Sequence, residues 1–291
     1  MSNKVYDIVT DHVLAQLGKG QIPWRKPRGL GPGMYPINAT NNKPYKGINA
    51  WMLGMTSYRD TRWLTYKQAQ ERGGQVRKGE KATAVIFWKV QTVEEDKDGE
   101  VKEKNIPILR YYPVFNVEQC DGLKLPALAT NAPTFEPIER AESIVANMPH
   151  RPPVGHDGGD KAHYVPLTDS VHLPPKSAFD SADEYYSTLF HKLSHSTGHS
   201  SRLNRSTLES LAPFGSQVYS KEELVAEFAA AFLCQESGIT NTLDNSTAYI
   251  TGWVKKIGSD KTLVVHGASQ AQKAFEYILS TSSRQALGQA S

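Results

Sequence analysis

The chain has 291 residues, 39% of them hydrophobic and 22% charged, with a formal net charge of +3. That length exceeds the needs of one compact domain and suits two, each with room for its own core. No apolar run reaches the roughly 18–20 residues of a membrane span, and no signal core opens the chain. Two isolated cysteines, Cys120 and Cys234, make no disulfide framework, so a protein of the reducing cytosol, away from membranes, is expected.

The charge is unevenly spread. Residues 1–92 hold 15 Lys+Arg against 5 Asp+Glu, a balance of +10. Residues 93–128 hold 5 against 8, and residues 129–291 hold 13 against 17, a balance of −4. A basic head on a mildly acidic body argues for a polyanionic partner.

In chain order, the amino terminus predicts an amphipathic helix with Val5, Ile8, Val9, Val13 and Leu17 on one face, ended by Gly18 and Gly20. A basic Pro/Gly-rich loop follows to residue 47, then an apolar helix over INAWMLGMTSYRD. In RWLTYKQAQERGG, Thr65 as N-cap and Gln68 three residues on make a capping-box pattern. Ala84, Ile86, Trp88 and Val90 alternate with Val85, Phe87 and Lys89, the period of a strand. The charged stretch after it carries an Asp-Gly turn and tips a hairpin whose return strand is IPILRYYPVFNVEQC. A proline-spaced linker is placed at 126–136. Beyond it come a helix over IERAESIVANM, strand-like AHYVPL and DSVHLPP, and four helices from Ser181 onward. The expected fold is α+β, with a small basic α+β head over 1–125 and a mostly helical body over 137–291.

The body carries the clearest chemistry. In TLFHKLSHSTGH, His191 and His195 are four apart, so a helix sets both imidazoles on one face where they can share an ion. A bare pair of this kind is a weak signal. It gains weight from Leu189, Phe190 and Leu193, which bury the helix, and from a second helix offering Glu222, Glu223 and Glu227. Glu223 is assigned as third ligand of a Zn²⁺ or other divalent ion, and Glu227 as the outer acceptor holding a histidine. The reverse assignment stays open. His199 is a weaker candidate: Gly198 fits the metzincin spacing, but the last histidine of that pattern falls at Ser201.

Metallopeptidases with such a helix read HExxH, the glutamate taking the proton of the metal-bound water. Here that position is Lys192, which has no lone pair at neutral pH. Pairing of Lys192 with Glu223 or Glu227, weakened metal affinity and crippled peptidase activity are expected.

In the head, aromatics alternate with cations, a mixture that stacks bases and tracks phosphates of single strands. Trp24, Arg25, Lys26, Tyr45, Lys46, Lys67, Arg77, Lys78 and Lys81 are the candidate DNA contacts. Trp24 and Tyr45, in Pro/Gly loops, are the preferred stacking groups, whereas Trp51 and Trp88 are assigned to the core. No motif for reading duplex major grooves is present.

The segments PYKGIN, RWLTYKQA, GGQVRKGEKATAVIF, YYSTLFHKLSHSTGH, YSKEELVAEFAAAFLC and TAYITGWVKKI resemble, in order and over almost the whole chain, ArdC-type antirestriction proteins. The resemblance implies a single-stranded-DNA-binding domain followed by a zincin-like metallopeptidase domain. It also implies carriage on a conjugative plasmid and protection of incoming DNA from the recipient's restriction enzymes. The family pattern has glutamate in HExxH, and this chain departs from it at Lys192. The competing expectation is an active DNA-tethered metallopeptidase that cuts a DNA-bound protein in the restriction pathway; a replication accessory is a third reading.

Overall fold

The computed structural model describes residues 2–24, 35–97, 100–126, 137–157, 159–209, 217–239 and 247–279. Most of the linker at 126–136, the Asp98-Gly99 turn, and Arg25 and Lys26 lie outside them.

The head begins with helix α1 (Ser2–Leu17). Its predicted apolar face is real: Val5, Val9, Val13 and Leu17 are buried, with Ile8 half-buried at the margin. Strand β1 (Ile37–Asn38), helix α2 (Ile48–Gly54), β2 (Arg62–Leu64), helix α3 (Tyr66–Glu71) and β3 (Gln75–Val76) follow. The expected capping box starts α3: Gln68 N donates to Thr65 Oγ1 at 3.2 Å, and Thr65 N donates to Gln68 Oε1 at 2.9 Å. The two long strands β4 (Thr83–Lys97) and β5 (Glu100–Asn116) pair antiparallel in one unbroken register, from Thr83 opposite Val114 to Lys97 opposite Glu100. They complete a sheet of order β1-β2-β5-β4, while β3 pairs with β6 (Cys120–Asp121).

The body opens with α4 (Pro137–Ala146) and a small sheet of order β7-β9-β8, made of β7 (Val154–Gly155), β8 (His163–Val165) and β9 (Ser170–His172). Then come α5 (Ala182–Ser196), the short α6 (Ser206–Glu209), α7 (Gln217–Ser237), α8 (Thr247–Ser259) and α9 (Leu263–Ile278). Helix α5 starts cleanly because the Ser181 hydroxyl accepts from Glu184 N. Helix α7 packs between α5 and α9. The close approach of α9 uses Gly267, where a Cβ would stand 3.1 Å from a Leu224 methyl.

The α+β class holds, but the two halves do not bury separate cores. The largest apolar cluster takes α1, Trp24, Trp51, Ile86 and Leu109 from the head together with Phe190, Phe228 and Phe275 from the body. Trp24 is the plug. Its ring lies 4.9 Å from Phe228, 5.9 Å from Trp253 and 6.2 Å from Trp51. Polar links run beside it: Thr10 to the Lys261 carbonyl, Gly47 N to Gln272, and Tyr35 to Glu236. Two smaller clusters remain within the head.

Candidate metal centre

Helix α5 presents His191 and His195 inward, both 8% exposed. Their Nε2 atoms are 3.0 Å apart. Glu223, from α7, straddles them: one carboxylate oxygen is 3.4 Å from His191 Nε2 and the other 3.4 Å from His195 Nε2. Among the described residues these three form the group able to hold a metal ion, with ligand atoms all within 4.8 Å of one another. A tetrahedral ion with bonds near 2.05 Å sets its ligand atoms about 3.3 Å apart, so the three donors fit one divalent ion with a coordination position left over. The chemistry fits as well. Burial and the neighbouring Lys192 pull His191 down to about 4, which keeps its lone pair available. Glu223 is held well below the usual carboxylate range because hydrogen bonding to both histidines overcomes the penalty of burial.

Around the three donors, Glu222 backs a histidine: Glu222 Oε1 faces His195 Nδ1 at 3.5 Å. Adjacent positions on a helix point about 100° apart, so with Glu223 aimed between the two Nε2 atoms, Glu222 falls behind His195. It meets Arg205 there, a residue that sequence spacing does not single out. Arg205 grips Glu222 with Nη2 at 2.6 Å and Nε at 3.1 Å, and Thr207 Oγ1 donates to the same carboxylate at 2.6 Å. The contacts with His195 and Arg205 outweigh burial and hold Glu222 down at about 2. Glu227 is buried one turn further on, and its Oε2 makes no hydrogen bond among the described residues. Burial, with the charge of Glu223 added, pushes its carboxyl up to about 7. His199 bonds Ser201 Oγ at 2.8 Å, stands near Asp169, and takes no part in the cluster.

Lys192 is largely buried beside the cluster. Burial lowers the pKa of its ammonium, while the charges of Glu223 and Glu227 draw it back up. It forms no ion pair among the described residues, so the expected pairing with Glu223 or Glu227 is an influence through space rather than a contact.

The head's candidates sort differently than their sequence context indicates. Trp24 is 2% exposed and Tyr45 8%, so neither offers a free face to a base. Trp24 fills the shared core, and Tyr45 packs with Leu53, Trp63, Val85 and Val114. The core assignment holds for Trp51, at 5%, and fails for Trp88, at 52%. Within the hairpin, Phe87, Trp88, Tyr111 and Tyr112 are all 42–52% exposed, although Ile86 and Leu109 beside them are buried in the shared core. Register sets Phe87 and Tyr112 on one face of the hairpin, with rings 5.9 Å apart, and Trp88 and Tyr111 on the other. Lys46 bonds Glu276, Lys67 reaches Glu71 at 3.8 Å, and Arg77 binds Glu80, Asp121 and the Glu118 carbonyl. Lys78, Lys81 and Lys89 are exposed.

Residues 3–115 match the family described as the N-terminal domain of anti-restriction factor ArdC, and residues 139–270 match a zincin-like metallopeptidase family. The crystal structure of antirestriction protein ArdC from plasmid R388, in its metal-free form, superimposes with a TM-score of 0.74 at 35% identity, covering 96% of this chain and 98% of that one. This chain belongs to the ArdC family of antirestriction proteins. The Mn(II)-bound form of the same R388 protein matches with a TM-score of 0.72 at 36% identity, covering 94% of this chain and 97% of that one. Protein y4eC of Sinorhizobium fredii is 31% identical over 290 residues, 94% of this chain and 91% of its own length. A DNA primase TraC of Escherichia coli is 39% identical over 297 residues, which is 96% of this chain but 27% of TraC; for a second TraC the share is 20%. The chain thus spans about a quarter of the primases that it matches. Among the described residues no helix is long and apolar enough to cross a membrane.

Proposed function

We propose that this ArdC-family protein works in the cytoplasm and shields incoming plasmid DNA from host restriction by binding its single strands through the head, residues 1–125. In the same proposal the body, 137–291, holds Zn²⁺ or another divalent ion on His191, His195 and Glu223 but does not cleave peptides. The observation that carries the binding reading is the exposed aromatic hairpin. Phe87, Trp88, Tyr111 and Tyr112 stand in solvent, where aromatic faces are costly unless something covers them. Lys78, Lys81 and Lys89 stand exposed on the same stretch. Flat side chains and cations together suit unpaired bases on a phosphate backbone.

Binding of a labelled single-stranded oligonucleotide, followed by anisotropy across a salt series, tests this. Affinity is expected to fall with a log–log slope of about −0.7 per phosphate neutralised. Equal affinity for duplex, or indifference to salt, would overturn it.

The inactive-peptidase reading rests on Lys192. A bound ion would polarise a peptide carbonyl and acidify a water. The protein must supply the proton acceptor, and an ammonium cannot accept. Turnover of a peptide or casein substrate by the metal-loaded parent should be at background and should rise in Lys192→Glu. Comparable activity in both favours the alternative, an active DNA-tethered metallopeptidase. The likeness to TraC favours a further reading, a module serving a plasmid primase; stimulation of primer synthesis by the added chain would support that instead.

A further inference from the structure

We infer that Arg205 and Glu222 are positioning residues that fix the backbone and ring of His195, so that its Nε2 faces the ion site shared with His191 and Glu223. This rests on the reading of His191, His195 and Glu223 as metal ligands. A neutral imidazole carries its proton on one nitrogen, and only the other can bind an ion. A carboxylate at Nδ1 keeps the proton there and leaves Nε2 free. Glu222 stands at that nitrogen, 3.5 Å away and 4% exposed.

The carboxylate is itself immobilised. Arg205 binds both of its oxygens, and the same guanidinium reaches the end of α5, donating from Nη2 to the Ser194 carbonyl at 2.9 Å and the His195 carbonyl at 3.3 Å, and from Nη1 to Thr197 Oγ1 at 2.6 Å. One side chain therefore fixes the backbone of His195 and, through Glu222, its ring. Room for it exists because residue 198 is glycine: a Cβ there would lie 2.9 Å from Arg205 Nη2. The partner histidine has nothing comparable, since His191 Nδ1 makes no hydrogen bond among the described residues.

A buried ion pair is a poor way to stabilise a core, because apolar side chains of similar volume serve as well or better. Retaining Arg205 and Glu222 at 6% and 4% exposure therefore points to placement rather than stability. That distinction supplies the test. The full-length double variant Glu222→Leu with Arg205→Met removes both charges together and should fold; Glu222→Gln removes only the negative charge. Titration of Zn²⁺ and Mn²⁺ into each folded protein should show affinity lowered about 10- to 100-fold relative to the parent, the loss typical when an outer partner of a ligand is removed. Histidine ¹⁵N and ¹H spectra of the Zn²⁺-loaded protein should show a slowly exchanging Nδ1 proton on His195 in the parent and a faster-exchanging one in the variants. A folded double variant with parental affinity and parental exchange of the His195 Nδ1 proton overturns the inference. A parent that binds neither ion overturns the metal reading instead, and backbone hydrogen exchange at the end of α5, faster in the variants if Arg205 and Glu222 fix it, still decides their positioning role.

Discussion

The metal cradle and the β4–β5 hairpin handle polar and apolar groups in opposite ways. In the cradle, a charged group is taken out of water and gripped: Glu222 is 4% exposed yet accepts from Arg205 and Thr207. On the hairpin, Trp88 is left 52% exposed. Hidden charge needs every partner in place, so removing one group there damages the fold as well as the site. An exposed ring has little to lose in the folded chain, so removing it should act on binding alone. Stability and function are coupled in the first region and separable in the second.

The sharpest break of that contrast is to remove one half of the buried pair. Arg205→Ala leaves Glu222 buried without its counter-charge and should cost about 3–5 kcal/mol in urea denaturation; a loss below about 1 kcal/mol would mean that the cradle is far wetter than its burial indicates. Trp24→Ala, at the seam of head and body, should cost a similar ~3–5 kcal/mol. DNA affinity of the fraction that stays folded should be unchanged, because Trp24 shows no face to solvent. The reverse pattern is expected of Trp88→Ala: stability within about 0.5 kcal/mol of the parent, but single-strand affinity weakened by about 1–3 kcal/mol. A Trp88→Ala protein that binds normally would move the stacking surface elsewhere.

The smallest effect concerns acid. Asp169 is held below its usual carboxylate range. Burial raises it, but hydrogen bonds from Arg202 and Tyr164 prevail. A depressed folded pKa contributes stability that is present above the unfolded value and is lost as pH falls through the folded one. The melting temperature should therefore drop on acidification below about pH 4, the ordinary carboxylate range. Asp169→Asn should flatten that part of the curve while lying lower near neutrality.

What the sequence determined by itself is what lies within one element. The His191–His195 spacing, the Thr65–Gln68 capping box, the apolar face of α1 and the alternation of β4 all hold, because backbone periodicity alone sets those relations. Glu223 as the residue that meets both histidines was also legible, as one of three carboxylates on a single following helix. Tertiary structure decided the rest. Which neighbour of Glu223 backs His195 depends on how α7 is rotated against α5, and Arg205 enters from a connection whose path no spacing encodes. Alternation in β4 says which residues share a face, not which of them the rest of the chain covers. Trp24 and Trp88 therefore exchanged their expected places: the first is drawn into a core that both halves build, and the second is carried beyond it into solvent.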